Sequence, residues 1–421
     1  MHRQDTIIAV TLATMLLAGT ACAQSRPATQ EVRMSLPPSD KLPIAAWDGP
    51  AVTPEVVARY QEFADAGFTH NMTAFVNPEQ AQIGLDAAAK AGVKVLTRYW
   101  PHSPTVLPPD MARQFKGHPG LGGYVLQDEP TISEFPELLA RTKAVLAADP
   151  DPSKVVIVNL LPTYAGNAMI GLAPHQKYED YVFKFLSEIP VTYLSYDHYP
   201  LKRFAPVPDW YENLLVARRA AAMADIPLWS FICCCGMDLF PDPTIGSLRI
   251  QGYTNLAMGA VGIEHFLYTA CGGRVAPYNR AGERTYVYDL VKQFNAELQA
   301  RAPVFLGSTS KLLRWAGPNM PEGFRAYEPK GVVKSLQVGP KGAIVSVFHK
   351  ANDRFFVIVN QDFIEPMPLK ATLSNSSPIG VVGHDGSVEM LDKPELDMQV
   401  LPGDALILMY QVSDKPEPAR K

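Results

Sequence analysis

The strongest constraint on the fold is an alternation of short apolar runs with longer amphipathic stretches, repeated eight times along the chain. The apolar runs are typical of buried strands, and the stretches between them open at a capping residue or a proline, as helices do. The predicted strands are Pro43–Trp47, Phe68–Ala74, Val93–Trp100, Leu121–Leu126, Lys154–Leu161, Val191–Tyr196, Pro227–Cys234 and Ala260–Tyr268. Eight such units predict a (β/α)8 barrel over residues 43–305. The alternative is an open doubly wound sheet, but no glycine-rich phosphate-binding turn follows any predicted strand.

After residue 305 the pattern changes to short apolar runs divided by Gly, Pro, Asn and Asp. This spacing predicts an antiparallel β-sandwich over residues 306–412, with a loose tail at 413–421. Its predicted strands are Gly331–Val338, Ala343–His349, Phe355–Asn360, Leu369–Leu373, Gly386–Met390 and Met398–Tyr410. The expected fold class is therefore α/β, a TIM barrel followed by a small antiparallel β-sandwich domain.

The N-terminal sequence is typical of a signal peptide over residues 1–23, and a Pro-rich linker is predicted at 24–42. His2 and Arg3 form a short basic start, Ile7–Ala18 an apolar core, and Ala21-Cys22-Ala23 a small-residue cleavage site. The apolar core is shorter than the ~20 residues that span a bilayer. We therefore expect export to the periplasm or the medium. Lipid anchoring at Cys22 is a less favoured alternative.

Charge and hydropathy exclude two classes of protein. The formal net charge is -4 and no block of Lys and Arg occurs, so we expect no general affinity for nucleic acid. The one long apolar stretch without charges lies at the N-terminus, which excludes a membrane transporter. No integral membrane segment is expected after removal of the signal peptide.

Export would leave four cysteines, Cys233, Cys234, Cys235 and Cys271, in an oxidising compartment. Two interpretations stay open at this point. One is a disulfide between the 233–235 cluster and Cys271, and the other is a set of buried free thiols. A metal site is less expected, because no histidine is spaced near the cluster.

In a (β/α)8 barrel the active site lies at the carboxyl ends of the strands. At these ends the sequence places aromatic side chains, amides and charged groups. Aromatic faces stack on the apolar faces of sugars, and amides and carboxylates bind hydroxyl groups, so this set predicts a carbohydrate cleft. The predicted substrate-binding residues are Trp47, Asp48, His70, Asn71, Arg98, Tyr99, Trp100, Asn159, Tyr196, His198, Tyr199 and Tyr268.

Carboxylates follow the fourth and sixth predicted strands. Asp128 and Glu129 are adjacent after strand four, and Asp197 follows strand six. Glycosidic cleavage needs one carboxylic acid to protonate the leaving oxygen and usually a second carboxylate across the sugar. Glu129 is the predicted general acid, and a like charge on Asp128 would raise its pKa. Asp197 is the predicted base or nucleophile. The structural alternative is that Asp128 and Asp197 bind loops and cap neighbouring elements.

The Asp128-Glu129-Pro130 sequence resembles the Asn-Glu-Pro of clan A glycoside hydrolases, including bacterial β-galactosidases. The resemblance extends to residues 159–162, 195–200 and 259–268, which are similar to a bacterial group of glycoside hydrolase-like barrel proteins. It implies that Glu129 is the acid/base and that Asp128 stands where the family has an amide. It also implies that Tyr196 is an aromatic that supports the nucleophile.

The seventh strand departs from that family. Clan A enzymes carry their nucleophilic Glu at its end, where this chain has Cys233, Cys234 and Cys235. Asp238 lies three residues further on, and Glu264 lies inside strand eight, where it faces either the barrel interior or an arginine. We therefore take Asp197 as the second carboxylate. That choice suits an inverting gap of ~6.5–9.5 Å better than a retaining gap of ~5–5.5 Å.

Other functions are less favoured by the sequence. Ser-His-Asp hydrolysis would need a Gly-x-Ser-x-Gly elbow, which does not occur. A cysteine nucleophile would tend to be oxidised after export. A metal site built from His70, Asp128, Glu129, Asp197 and His198 fits no known ligand spacing, and no cofactor is predicted. The missing carboxylate on strand seven motivates the main alternative, a carbohydrate-binding barrel protein without turnover.

Overall fold

The structure is a computed structural model that describes residues 34–101, 105–202, 205–236, 240–271, 274–375 and 377–412. The predicted signal peptide, most of the linker, Asp238 and the tail at 413–421 lie outside the described residues.

Within these residues, eight parallel strands form the barrel sheet in the order β6-β5-β4-β3-β2-β1-β8-β7. The ring is closed on one side by pairing of Ile44 with Ile263, and on the other by a bridge between Leu194 and Leu228. The predicted (β/α)8 barrel is confirmed. Its strands are β1 (Ile44–Trp47), β2 (His70–Thr73), β3 (Lys94–Arg98), β4 (Leu121–Asp128), β5 (Val155–Leu160), β6 (Ser195–Tyr196), β7 (Trp229–Cys233) and β8 (Gly262–Phe266).

A long helix follows each strand and packs on the outside of the barrel. The helix starts at Asn77 and Thr244 carry the expected cap, since the Asn77 side chain accepts from Gln80 N and that of Thr244 accepts from Ser247 N, whereas the helix at Val56–Asp65 has no side-chain cap among the described residues. The helices are α1 (Val56–Asp65), α2 (Pro78–Lys90), α3 (Pro108–Phe115), α4 (Phe135–Ala148), α5 (Tyr178–Glu188), α6 (Asp209–Ala224), α7 (Ile245–Ala257) and α8 (Tyr286–Phe305). Shorter pieces lie in the loops, namely Ile132–Glu134, Thr163–Ala165, Asn167–Ile170, Leu201–Lys202 and Ala205–Pro206.

Side chains alternate along each strand between the barrel interior and the layer under the helices, because successive strand residues point to opposite faces. On β8, Ile263 belongs to the apolar layer under the helices, and His265 packs against Phe68 in the same layer. Between them Glu264 points inward, where it accepts a hydrogen bond from Ser195. This alternation decides which strand-end side chains can reach a substrate.

The β-sandwich follows the barrel with a six-stranded sheet, β9-β11-β12-β17-β14-β15, and a three-stranded sheet, β10-β13-β16. The predicted antiparallel sandwich is confirmed. The sequence reading missed β9 and β14, and the single predicted strand at 398–410 is two strands joined by a turn. The strands are β9 (Thr309–Ala316), β10 (Val333–Gln337), β11 (Ala343–Lys350), β12 (Asp353–Asn360), β13 (Met367–Leu373), β14 (Ile379–Val382), β15 (Val388–Met390), β16 (Glu395–Val400) and β17 (Ala405–Gln411).

Barrel helices α7 and α8 contact the sandwich through buried polar groups. Arg301 on α8 donates to Asp404 (3.1 Å) and to the hydroxyl of Tyr253 on α7 (2.9 Å). The remaining donors of Arg301 reach the backbone oxygens of Val382 and Gly383. The barrel and the sandwich are therefore joined by specific buried contacts as well as by apolar packing.

Among the residues that the structure describes, no helix combines the length and the apolar character needed to cross a bilayer.

Candidate active site

Glu129 is placed by an irregularity at the end of β4. Val125 pairs with Ile157 and Asp128 pairs with Asn159. Between these two pairs β4 advances by three residues and β5 by two, so β4 contains one extra residue, a β-bulge. Such a bulge re-aims the side chains that follow it. Gln127 stays on the helix side, bound by Arg141 of α4, while Asp128 turns toward the barrel mouth.

The backbone of Glu129 adopts φ of 48°, a left-handed conformation that non-glycine residues rarely use. Its N–H donates to the backbone oxygen of Asn159 at 2.8 Å, which holds the turn in place. Backbone strain of this kind costs about 1–3 kcal/mol and is concentrated at functional sites. The end of β4 is thus built to present one particular side chain.

Asp128 lies in a polar network with residues of β1, β3 and β5. Its carboxylate accepts from Asn159 Nδ2 at 2.9 Å, and the guanidinium of Arg98 pairs with Asp48 close by. Burial raises the pKa of Asp128, against the opposing effects of the Asn159 hydrogen bond and the Arg98 charge. Burial also raises the pKa of Asp48, again against Arg98.

Asp197 lies beside Glu129. It is buried, its Oδ1 has no hydrogen-bond partner among the described residues, and the charges of the two carboxyl groups act on each other. Burial, followed by the charges of Glu129 and Asp128, raises the pKa of Asp197 well above its usual range. Burial, followed by the charge of Asp128, raises the pKa of Glu129 as well.

Two neighbouring carboxyl groups cannot both ionise without a large electrostatic cost, so the pair holds a proton to higher pH than isolated carboxyls do. This is the state that a general acid requires. Both groups follow strands that flank the same neighbour, since β5 lies between β4 and β6. The gap of ~6.5–9.5 Å that suits inversion stays a prediction.

Aromatic side chains line one side of this cluster. The Arg98 guanidinium lies 4.4 Å from the ring centroids of both Trp47 and Trp100, which hold it between them. Tyr199 packs against Phe266 with ring centroids 5.0 Å apart. The predicted residues that the structure brings together at the barrel mouth are Trp47, Asp48, Arg98, Trp100, Asp128, Glu129, Asn159, Asp197 and Tyr199.

Tyr164 completes the cluster and was missed by the sequence reading. It is 47% exposed, and the charges of Asp197 and Glu129 both act on its hydroxyl, which places it beside the two carboxyl groups. It lies in the short Thr163–Ala165 helix, beyond the end of β5. The sequence prediction covered only residues at the strand ends, and Tyr164 lies in the loop after β5.

Three other predicted residues have different neighbours. Tyr196 precedes Asp197 and therefore points the opposite way, into the apolar layer under the helices. Tyr268 packs against aromatic rings of the same layer. His198 is buried 3.5 Å from the carboxylate of Asp209 on α6, with its ring 4.9 Å from that of Tyr164. The positions of Tyr196 and Tyr268 are corrections to the predicted substrate-binding set.

His70, Asn71 and Tyr99 also lie away from the cluster. His70 is the first residue of β2, so it lies at the amino-terminal end of the barrel, 5.4 Å from Trp229. Buried Asn71 binds the Tyr60 hydroxyl and the backbone N–H of Gly49, which supports the loop after β1. Tyr99 stacks under Arg141 of α4 at 3.8 Å.

At the end of β7, where the family resemblance implies a carboxylate, the structure has Cys233. Cys233, Cys234, Cys235 and Cys271 are all free thiols, so the predicted alternative of a bridge to Cys271 is not formed. The exposed Cys271 thiol instead pairs with Arg274 at 2.8 Å. Within the described ranges, no group of three or more His, Cys, Asp or Glu side chains is arranged to hold a metal ion.

Glu264 lies in the interior of the barrel, on β8, and is fully buried. One carboxyl oxygen accepts from the Ser195 hydroxyl at 2.7 Å, and the other has no hydrogen-bond partner. Of the two environments that the sequence left open, the barrel interior is therefore the correct one. Burial raises the pKa of Glu264 to about 8, so the group is neutral at pH 7.

This burial predicts a pH-dependent stability. An unfolded Glu ionises near pH 4.3, whereas the folded protein keeps Glu264 protonated to about pH 8. Between these values the folded state binds more protons, so its stability falls as the pH rises. Glu264→Gln should therefore lose less stability than the wild type between pH 5 and pH 8. Urea denaturation at both pH values measures this, and equal losses in the two proteins would contradict it.

With the geometry described, the chain can be compared with known proteins. No protein-family model and no curated protein matches it. A solved family 39 glycoside hydrolase from Bacteroides cellulosilyticus WH2 has TM-score 0.53 and 12% identity, covering 89% of this chain and 81% of the other. A putative α-galactosidase from Bacteroides fragilis NCTC 9343 has TM-score 0.51 and 10% identity, covering 89% and 80%. At these identities the comparisons show that the chain shares its fold with glycoside hydrolases.

Proposed function

We propose that the chain is an exported glycoside hydrolase that cleaves O-glycosidic bonds in an oligo- or polysaccharide. The observation that supports this most is the convergence of the Glu129 and Asp197 carboxyl groups at the barrel mouth, beside an aromatic wall. The fold shared with glycoside hydrolases is consistent with the proposal. Glu129 is the proposed general acid, and Asp197 the second carboxylate.

In this mechanism the protonated Glu129 donates its proton to the glycosidic oxygen as the bond from that oxygen to the anomeric carbon breaks. The positive charge that develops on the sugar ring is stabilised by Asp197, which acts as nucleophile or as base for a water molecule. Burial and neighbouring charges raise the pKa of both carboxyl groups, so the pair carries a proton, and Glu129, the less buried of the two, is the proposed donor.

The remaining side chains of the cluster would bind the sugar. Trp47, Trp100, Tyr164 and Tyr199 offer aromatic faces, and the polar groups of Asp48, Arg98 and Asn159 can bind hydroxyl groups. Trp47 and Tyr199 are largely covered by neighbours, whereas Tyr164 is open to solvent. We therefore propose Tyr164 as the outer stacking platform of the cleft.

The test is incubation of the mature protein with a panel of oligo- and polysaccharides, followed by chromatography of the products. A new reducing end would support hydrolysis, and the anomer that NMR detects first would distinguish inversion from retention. The mass of the secreted protein checks the proposed cleavage after Ala23. An intact leader on the exported protein would contradict that site.

One observation favours a second function. The end of β7 carries the Cys233 thiol in place of a carboxylate, and a barrel without a complete acid–nucleophile pair could bind saccharide without cleaving it. Calorimetric binding of a glycan that gives no product over long incubation would support this carbohydrate-binding alternative and would overturn the hydrolase.

The electrostatic role of Asp128 predicts a shift in pH dependence. Its negative charge disfavours ionisation of Glu129, so Asp128→Asn should lower the pKa of Glu129. The high-pH limb of kcat should then move to lower pH, because the acid loses its proton earlier. A kcat profile across pH 4–9 measures this. Asp65→Asn on the exposed face of α1 is the matched control, and an equal shift there would contradict the assignment.

A further inference from the structure

Two of the cysteines at the end of β7 face each other. The sulfurs of Cys233 and Cys235 are 3.9 Å apart, and the Cys233 thiol also contacts the backbone oxygen of Cys235 at 3.2 Å. Residues two apart on an extended chain point to the same side, which explains the contact. Cys234 points to the other side, where its thiol contacts the backbone oxygen of Leu267.

The two thiols of the pair differ in access. Cys233 is half-buried, whereas Cys235 is only 1% exposed. The Cys233 contact and burial raise the pKa of Cys235. A thiolate is the nucleophile in thiol–disulfide exchange. A reagent that enters the cleft would therefore meet the reactive sulfur first and the partner sulfur behind it.

We propose that Cys233 and Cys235 are a redox modification site that forms a reversible disulfide with a low-molecular-weight disulfide as oxidant. The Cys233 thiolate attacks one sulfur of the reagent, which gives a mixed disulfide and releases one thiolate. The Cys235 thiolate then attacks the Cys233 sulfur and releases the second. The protein loses two protons and two electrons, and the reagent disulfide becomes two thiols.

The geometry favours a bond that is easily reversed. The sulfurs must approach from 3.9 Å to the ~2.05 Å of a disulfide. A bridge between residues two apart closes a very short loop, so it removes little entropy from the unfolded chain and adds little stability. Reduction of the Cys233–Cys235 disulfide therefore costs little folding free energy.

The pair lies in the wall of the proposed cleft. The Cys233 side chain lies near the hydroxyl groups of Tyr199 and Tyr164, the residues that flank Asp197. Formation of the bridge draws the Cys233 sulfur toward Cys235 and changes the wall at this point. The consequence for turnover rests on the proposed function, whereas formation of the disulfide does not.

The test uses the whole mature protein equilibrated with mixtures of reduced and oxidised glutathione. Mass spectrometry should detect loss of two hydrogen atoms, and peptide mapping should place the bond between Cys233 and Cys235. Cys234→Ser and Cys271→Ser are matched controls that should still form it. Cys235→Ser should instead stop at a mixed disulfide with glutathione on Cys233. Persistence of both thiols in excess oxidised glutathione, or a bond to Cys271, would overturn the proposal.

Turnover gives the second readout. Oxidation should lower saccharide hydrolysis by the wild type by up to about 10²-fold, the loss that a misplacement of about 1 Å causes at an active site. Dithiothreitol should restore the rate, and Cys271→Ser should show the same loss and the same recovery. A mapped bond without any effect on turnover would overturn the link to the cleft. If neither redox state hydrolyses any glycan, the proposed function fails, while the mapped bond still decides the redox site.

Discussion

Replacement of Glu129 by Gln should lower the hydrolysis of an unactivated glycan by about 10²- to 10⁴-fold, the range that a positioned general acid contributes. The amide keeps the size of the side chain and its neighbours, but it cannot donate a proton to the leaving oxygen. Saccharide affinity should change little, because the aromatic wall and Asn159 are untouched. Steady-state kinetics and calorimetry measure the two quantities separately.

The dependence on the leaving group makes this prediction specific. A nitrophenyl glycoside leaves as a stable phenolate and needs little protonation, so its hydrolysis should suffer much less in Glu129→Gln than that of the glycan. Glu188→Gln, an exposed change on α5, is the matched control and should match the wild type. Equal losses of hydrolysis rate on both classes of substrate, with unchanged thermal stability, would show that another residue is the general acid.

Replacement of Arg301 by Met should lower the free energy of unfolding by about 3–5 kcal/mol, because it removes one partner of a buried ion pair. The Arg301 and Asp404 side chains are only 4% and 8% exposed. Without the guanidinium, the backbone oxygens of Val382 and Gly383 lose the Arg301 donor, and the Asp404 carboxylate keeps, among the described residues, only His384 and the Ala405 N–H. These oxygens lie in the sandwich, so the contact between barrel and sandwich should weaken most.

Chemical denaturation followed by circular dichroism measures this loss. Lys370→Met is the matched control, since Lys370 and Asp397 form an ion pair of similar length whose side chains are 65% and 74% exposed. Exposed pairs contribute about 0–1 kcal/mol, so this variant should stay near the wild type. Similar losses in the two variants would show that burial does not decide the effect.

The fold could be predicted because its signals are local. Apolar runs of strand length, capping residues such as Asn77 and Thr244, and prolines at helix starts repeat in register with the eight units. The carboxyl ends of parallel strands meet at one end of a barrel, so Glu129 and Asp197 could be expected at the same end from their positions after strands. In the sandwich the strand signals were weaker, and β9 and β14 were missed.

The candidate site could be predicted only in part, because strand bounds and bulges decide where side chains point. His70 was assigned to the end of a strand that in fact begins there. Tyr196 is a neighbour of Asp197 in sequence, but it points into the layer under the helices. Near the end of β4 the bulge re-aims Asp128, and a bulge has no clear mark in the sequence.

By itself, the sequence determined the (β/α)8 barrel, the sandwich that follows it and the strand ends that carry Glu129 and Asp197. The periodicity behind these features depends on neighbours along the chain. Only the tertiary structure decided that the two carboxyl groups lie close enough for their charges to interact, that Tyr164 joins them, and that Cys233 faces Cys235 at the end of β7. Contacts between side chains depend on register and backbone turns, which are set when distant segments pack together.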